Sequence, residues 1–85
     1  MAAEIKDVVK STLEVAAFEY FDVYLVYGAD NPATEHARKI YLAQQDVFAL
    51  VGGTPHELVQ INDEMRACAQ MNRAMRKYRE RQYNA

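Results

Sequence analysis

Apolar residues recur along this chain at three- and four-residue steps, the spacing of one face of an α-helix, in three stretches separated by glycine and proline. The first carries Ile5, Val9, Leu13, Ala16, Tyr20, Val23, Tyr24 and Tyr27 and predicts a helix over about 4–27. Gly28 follows, the residue type best suited to a left-handed helix end. The second carries Ala37, Ile40, Tyr41, Val47, Phe48 and Val51 and predicts a helix over about 32–51. Asn31 can cap it, and Pro32 stands at its first position, where a missing N–H is harmless. Gly52 and Gly53 end it.

The third start signal is the strongest. Thr54, Pro55 and Glu57 supply an N-cap, a first-turn proline and the glutamate of a capping box. Nothing breaks the pattern afterwards, so the spacing predicts a helix over about 54–82, on the order of 40 Å long at 1.5 Å per residue. The expected fold class is therefore all-α: a three-helix protomer with antiparallel packing, a single domain over 1–85 without a separate linker or tail domain. A globule of this length has a radius of gyration near about 12 Å, so the end of the third helix should project from it.

Composition sharpens this picture. A chain of 85 residues with 51% hydrophobic content is too short for two independent cores and too apolar for a disordered polymer. Small domains bury a low share of their surface and often oligomerise when disulfides and metals do not help. Cys68 is the only cysteine, so no internal disulfide can form, which suggests a reducing, cytoplasmic setting. Glu4, Lys6, Asp7 and Lys10 interrupt the region where an export signal would carry its apolar core. The apolar run from Val15 to Tyr27 is broken by Glu19 and Asp22 and falls short of the roughly 20 residues a spanning helix needs, so no membrane partner is expected.

Charge is distributed unevenly. The net charge is −2, yet residues 66–85 carry Arg66, Arg73, Arg76, Lys77, Arg79 and Arg81 against Glu80 alone, a basic end on an acidic body. Arg73, Arg76, Lys77, Arg79 and Arg81, interleaved with Tyr78 and Tyr83, resemble a nucleic-acid-binding helix in composition. Cations in the last turns of a helix also complement its dipole, and a solvated or self-pairing face is the simpler reading.

Two further patterns point to self-association. In the third helix Leu58, Met65 and Asn72 fall at heptad a positions and Ile61, Cys68 and Met75 at d, with Asn72 suited to fixing register between copies. The alternative is that Leu58 to Cys68 face the other two helices and Asn72 marks the edge of the core. In the first helix Phe18, Phe21 and Leu25 form a second apolar strip, offset from the line of Leu13 and Tyr20. Such a strip either is sandwiched within the protomer or meets another chain. The expected self-association residues are thus Phe18, Phe21, Leu25, Met65, Cys68, Asn72 and Met75.

Tyr20, Tyr24 and Tyr27 share one face and, near Arg38 and Lys39, can stack on a nucleotide; the plainer reading is semi-buried packing with hydroxyls at the rim. Catalysis finds little support. His36 and His56 lie at helix starts without a nucleophile or metal partner at a telling spacing, Ser11 is the only serine, and Glu19 with Asp22 is expected to be a solvated carboxylate pair. No catalytic residue, metal or cofactor is expected. These readings favour a small, non-enzymatic homo-oligomeric interaction module, a regulator or inhibitor that binds a protein partner, of the size and composition common among phage and mobile-element proteins. A nucleic-acid-binding protein and an oligomer that sequesters a nucleotide are the alternatives.

Overall fold

The computed structural model describes residues 2–84. It contains α1 (Ala2–Tyr27), α2 (Pro32–Leu50) and α3 (Pro55–Asn84), with no strand among the described residues. The helix ends lie within two residues of those expected from sequence, and the four ends next to the two turns are set by local chemistry.

Gly28, at φ +79°, ends α1 and donates its N–H to the Tyr24 carbonyl at 2.8 Å. The Asn31 side chain accepts the Ala33 N–H at 2.9 Å and caps α2. At the other end of α2, Gly52 sits at φ +97° and donates to the Ala49 carbonyl at 3.2 Å, while Gly53 donates to the Phe48 carbonyl at 2.8 Å. These two bonds form a Schellman motif. At Gly53 the requirement for glycine is steric: a Cβ there would overlap the Phe48 ring. The capping box of α3 is closed in both directions, with Glu57 N–H donating to Thr54 Oγ1 and Thr54 N–H donating to Glu57 Oε1, each at 3.2 Å.

Helix α1 packs against both α2 and α3, which barely meet each other. Through its short turn α2 runs antiparallel to α1. In contrast, α3 runs parallel to α1: Lys6 Nζ donates to Glu57 Oε1 at 3.0 Å near one end, and Arg73 pairs with Asp22 near the other. Lys6 and Asp22 are sixteen positions apart, as are Glu57 and Arg73, so the two helices keep one register along their shared length.

Leu13, Ala16, Ala17, Tyr41, Phe48 and Ile61 form the core cluster, with Val9, Tyr20, Phe21, Val51, Leu58 and Met65 packed around it. Ala16 and Ala17 present little bulk, so the neighbouring helices can approach α1 closely. Complete burial of a leucine or phenylalanine contributes about 1.5–3 kcal/mol, which makes Leu13 and Phe48 principal anchors. Two members of the stripe expected on α2, Ile40 and Val47, lie outside the core and remain exposed, because the inward direction of α2 passes through Thr34, Tyr41 and Phe48 instead.

The molecule measures 52 × 25 × 18 Å with a radius of gyration of 14.9 Å, above the roughly 12 Å of a compact globule of this length. The shared register sets Tyr27 level with Tyr78, so the last turn and a half of α3 extends past α1. This is the projection expected from the length of α3. No described helix is long and apolar enough to cross a membrane.

Candidate interaction site

The inward line of α3 begins along the predicted heptad and then leaves it. Leu58, Ile61 and Met65 pack on the core, as in the reading that places them against the other helices. The next fully buried position is Ala69, not Cys68, which is exposed together with Met75. A straight helix has 3.6 residues per turn, so a 3.5-residue heptad line drifts off its inward face unless the helix supercoils. That drift carries the inward line from Met65 to Ala69 and on to Asn72 and Arg73.

Asn72 and Arg73 both reach Asp22 of α1. Arg73 Nε donates to Asp22 Oδ1 at 2.7 Å and Nη2 to Oδ2 at 2.6 Å, a bidentate pair, while Asn72 Nδ2 donates to Oδ1 at 3.3 Å. The Arg73 guanidinium, aided by Asn72 and opposed by partial burial, holds the Asp22 carboxyl below the usual carboxylate range. Asp22 is therefore not the solvated carboxylate expected from sequence. The parallel register of α1 and α3 brings it to two donors that lie about fifty positions away in the chain. By the same contact Asn72 and Arg73, expected to meet a second copy and an anion, find a partner inside the protomer. Glu19 is exposed. At the opposite end the Glu57 carboxyl is also held low, first by Lys6 and then by Thr54.

The strip of Phe18, Phe21 and Leu25 is divided by α3, which lies along it. On one side Tyr20, Phe21, Tyr24 and Leu25 of α1 and Arg66 and Gln70 of α3 line an open groove of about 370 Å³. The Arg66 guanidinium stands 5.1 Å from the Phe21 ring centroid, a cation–π arrangement. Tyr20 stacks on Tyr41 with centroids 5.5 Å apart, and Phe21 tilts against Tyr41 at 5.8 Å, so the inner wall is fixed by α2. Burial pushes the Tyr41 phenol up. Through Leu25 and Gln70 the groove continues to Arg73, Ala74 and Lys77. On the other side of α3, Phe18 meets Ala67, Cys68, Met71 and Asn72 around a shallower depression. Of the expected self-association residues, Phe18, Cys68 and Asn72 are thus brought together, Phe21 and Leu25 line the first groove, Met65 is packed inside, and Met75 is exposed.

Of the expected stacking tyrosines, Tyr20 and Tyr24 line the first groove, whereas Tyr27 is exposed beyond it. Their cationic neighbour is Arg66, not Arg38, which pairs with Glu35 at 3.4 Å. Arg66 was legible in one respect: Arg66, Gln70, Arg73 and Lys77 follow at steps of four, three and four, a polar line beside the apolar one. Beyond Arg73, Arg76, Lys77, Arg79 and Arg81 are exposed and have no ion-pair partner among the described residues. His36 and His56 are exposed, and no group of three potential metal ligands gathers among the described residues.

No protein-family profile, curated protein sequence or solved structure matches this chain.

Proposed function

We propose that this protein is a non-enzymatic, homo-oligomeric interaction module that acts as a regulator or inhibitor by binding a protein partner. The observation that carries the reading is the groove between α1 and α3, with an aromatic inner wall of Tyr20, Phe21 and Tyr24, the aliphatic Leu25, and Arg66 and Lys77 along its length. An apolar trough edged by cations suits a segment that presents a large apolar side chain beside a carboxylate, since aromatic and arginine side chains dominate the energetics of protein interfaces. Large apolar side chains exposed on all three helices, among them Val8, Leu50 and Met71, support a protomer that functions in contact with other chains. The titratable groups with displaced pKa values support a structural use: Asp22 with Arg73 clamps α3 to α1, Glu57 with Thr54 and Lys6 fixes the start of α3, and Tyr41 is packed in the core.

Affinity purification from the native host, comparing the wild type with Leu25→Glu and Arg66→Glu variants, tests this. The expected result is one protein recovered with the wild type and lost with both variants while helix content by circular dichroism is unchanged. Recovery of the same proteins with all three chains would contradict the reading.

The exposed cations toward the C-terminal end of α3 favour nucleic-acid binding as the second reading. It predicts a gel shift with DNA or RNA that weakens steeply between low and physiological salt and is lost when Arg76, Arg79 and Arg81 are changed to glutamine. The nucleotide-sequestering reading draws on Tyr20, Tyr24 and Arg66, and a thermal-shift screen against nucleotides that leaves the melting temperature unmoved would remove it.

A further inference from the structure

Helix α2 carries a second line, apolar except for His36, that the protomer does not use. Ala33, His36, Ile40, Ala43, Val47 and Leu50 follow at alternating steps of three and four, the a/d spacing of a coiled-coil seam. All six are exposed, Leu50 at 85%. The line spans about 25 Å of helix at 1.5 Å per residue.

Its side-chain sizes are complementary to the same line read backwards. With a second copy of α2 laid antiparallel, Leu50 meets Ala33, Val47 meets His36 and Ile40 meets Ala43, and the two-fold axis repeats each layer. The Leu50–Ala33 and Ile40–Ala43 layers then join a larger group to a smaller one, which favours interdigitation, and the Val47–His36 layer joins groups of similar size. Charge fits the same arrangement. Lys39 and Asp46 flank the line on one side, and neither has an ion-pair partner among the described residues. Antiparallel pairing sets Lys39 of each copy beside Asp46 of the other, and on the opposite flank sets Ala37 beside Gln44. Parallel, in-register pairing does neither: it stacks Leu50 on Leu50 and Ala43 on Ala43, and gives Lys39 no carboxylate across the seam.

We propose that two copies of this chain pair antiparallel through the outer face of α2. The proposal deepens the oligomeric part of the reading above and places the contact on a face different from the α1–α3 surfaces.

Sedimentation equilibrium on the intact protein, with Leu50→Glu, Lys39→Glu, Asp46→Lys and the Lys39→Glu/Asp46→Lys double variant, tests it. Each altered side chain is exposed in the protomer, so circular dichroism should remain that of the wild type. The expected results are a wild-type dimer, a dissociation constant raised at least about a hundredfold by Leu50→Glu, which desolvates a carboxylate in an apolar seam. Each single charge reversal should raise the constant by about tenfold, and the double variant should return it to near the wild-type value. A wild-type monomer at high micromolar concentration would overturn both this pairing and self-association in general. A dimer indifferent to Leu50→Glu would overturn the α2 contact alone and leave self-association to the Phe18, Cys68 and Met71 surface. Absence of rescue in the double variant would overturn the antiparallel arrangement.

Discussion

On α2 the residues that face the protein interior, Thr34, Tyr41 and Phe48, are each preceded by a residue that faces water: Ala33, Ile40 and Val47. Two lines at seven-residue spacing thus run side by side, one fully buried and one open, and both are rich in apolar groups. Sequence periodicity treats them nearly alike, since a 100° step separates neighbours and an apolar face is wider than that. What distinguishes them is contact. The inner line meets α1 through Tyr41 stacked on Tyr20 and through Phe48 in the Leu13 cluster. The outer line has no helix over it.

The contrast is broken most directly by truncating neighbours. Phe48→Ala should lower folding stability by about 3–5 kcal/mol in chemical denaturation, the range for emptying a buried phenylalanine site. Val47→Ala, one residue away, should change the stability of dilute protein by no more than about 0.5 kcal/mol, as is usual for an exposed side chain. A next-smaller effect comes from the turn that holds Phe48 in place. Gly53→Ala forces a methyl group into the Phe48 ring and should cost about 1–3 kcal/mol, read as a lowered denaturation midpoint at unchanged slope.

The clamp between α1 and α3 should respond to acid. The Asp22 carboxyl has its pKa lowered on folding, so the stability it contributes is present above the unfolded value near about 4 and is lost as pH falls through the lower folded value. Asp22→Asn should therefore cost about 1 kcal/mol at neutral pH, a modest figure because water reaches the Arg73 guanidinium and screens the pair. The difference between variant and wild type, followed by urea denaturation at several pH values, should shrink below about pH 4.

The smallest effect returns to the inner line. Thr34 is buried, and its hydroxyl has no hydrogen-bond partner among the described residues. Thr34→Val keeps the shape and removes the unpaired polar atom, so stability should be unchanged or rise by up to about 1 kcal/mol in the same assay. A loss of that size would mean that the hydroxyl is hydrogen-bonded in solution.

The third helix repeats the lesson of α2 over a greater length. Leu58, Ile61 and Met65 obey both the heptad and the straight-helix period, so their placement was legible; Cys68 and Ala69 separate the two periods, and the structure follows the second. The candidate groove was legible only in halves. Tyr20, Tyr24, Phe21 and Leu25 stand out in the sequence as aromatic and apolar faces of α1, but Arg66 and Gln70, which complete the groove, come from a helix whose register against α1 the sequence does not reveal.

By itself, then, the sequence determined what depends on neighbours a few positions apart: three helices, the Asn31 cap, the Schellman turn at Gly52 and Gly53, and the capping box of Thr54 and Glu57. Hydrogen bonds within one helical turn decide these, whatever the rest of the chain does. The tertiary structure alone decided which of the two adjacent lines on α2 is inside, where the inward line of α3 leaves the heptad, and that Asp22 is held by Asn72 and Arg73. Those outcomes depend on how α1, α2 and α3 are laid against one another, and burial is a property of the neighbour as much as of the residue.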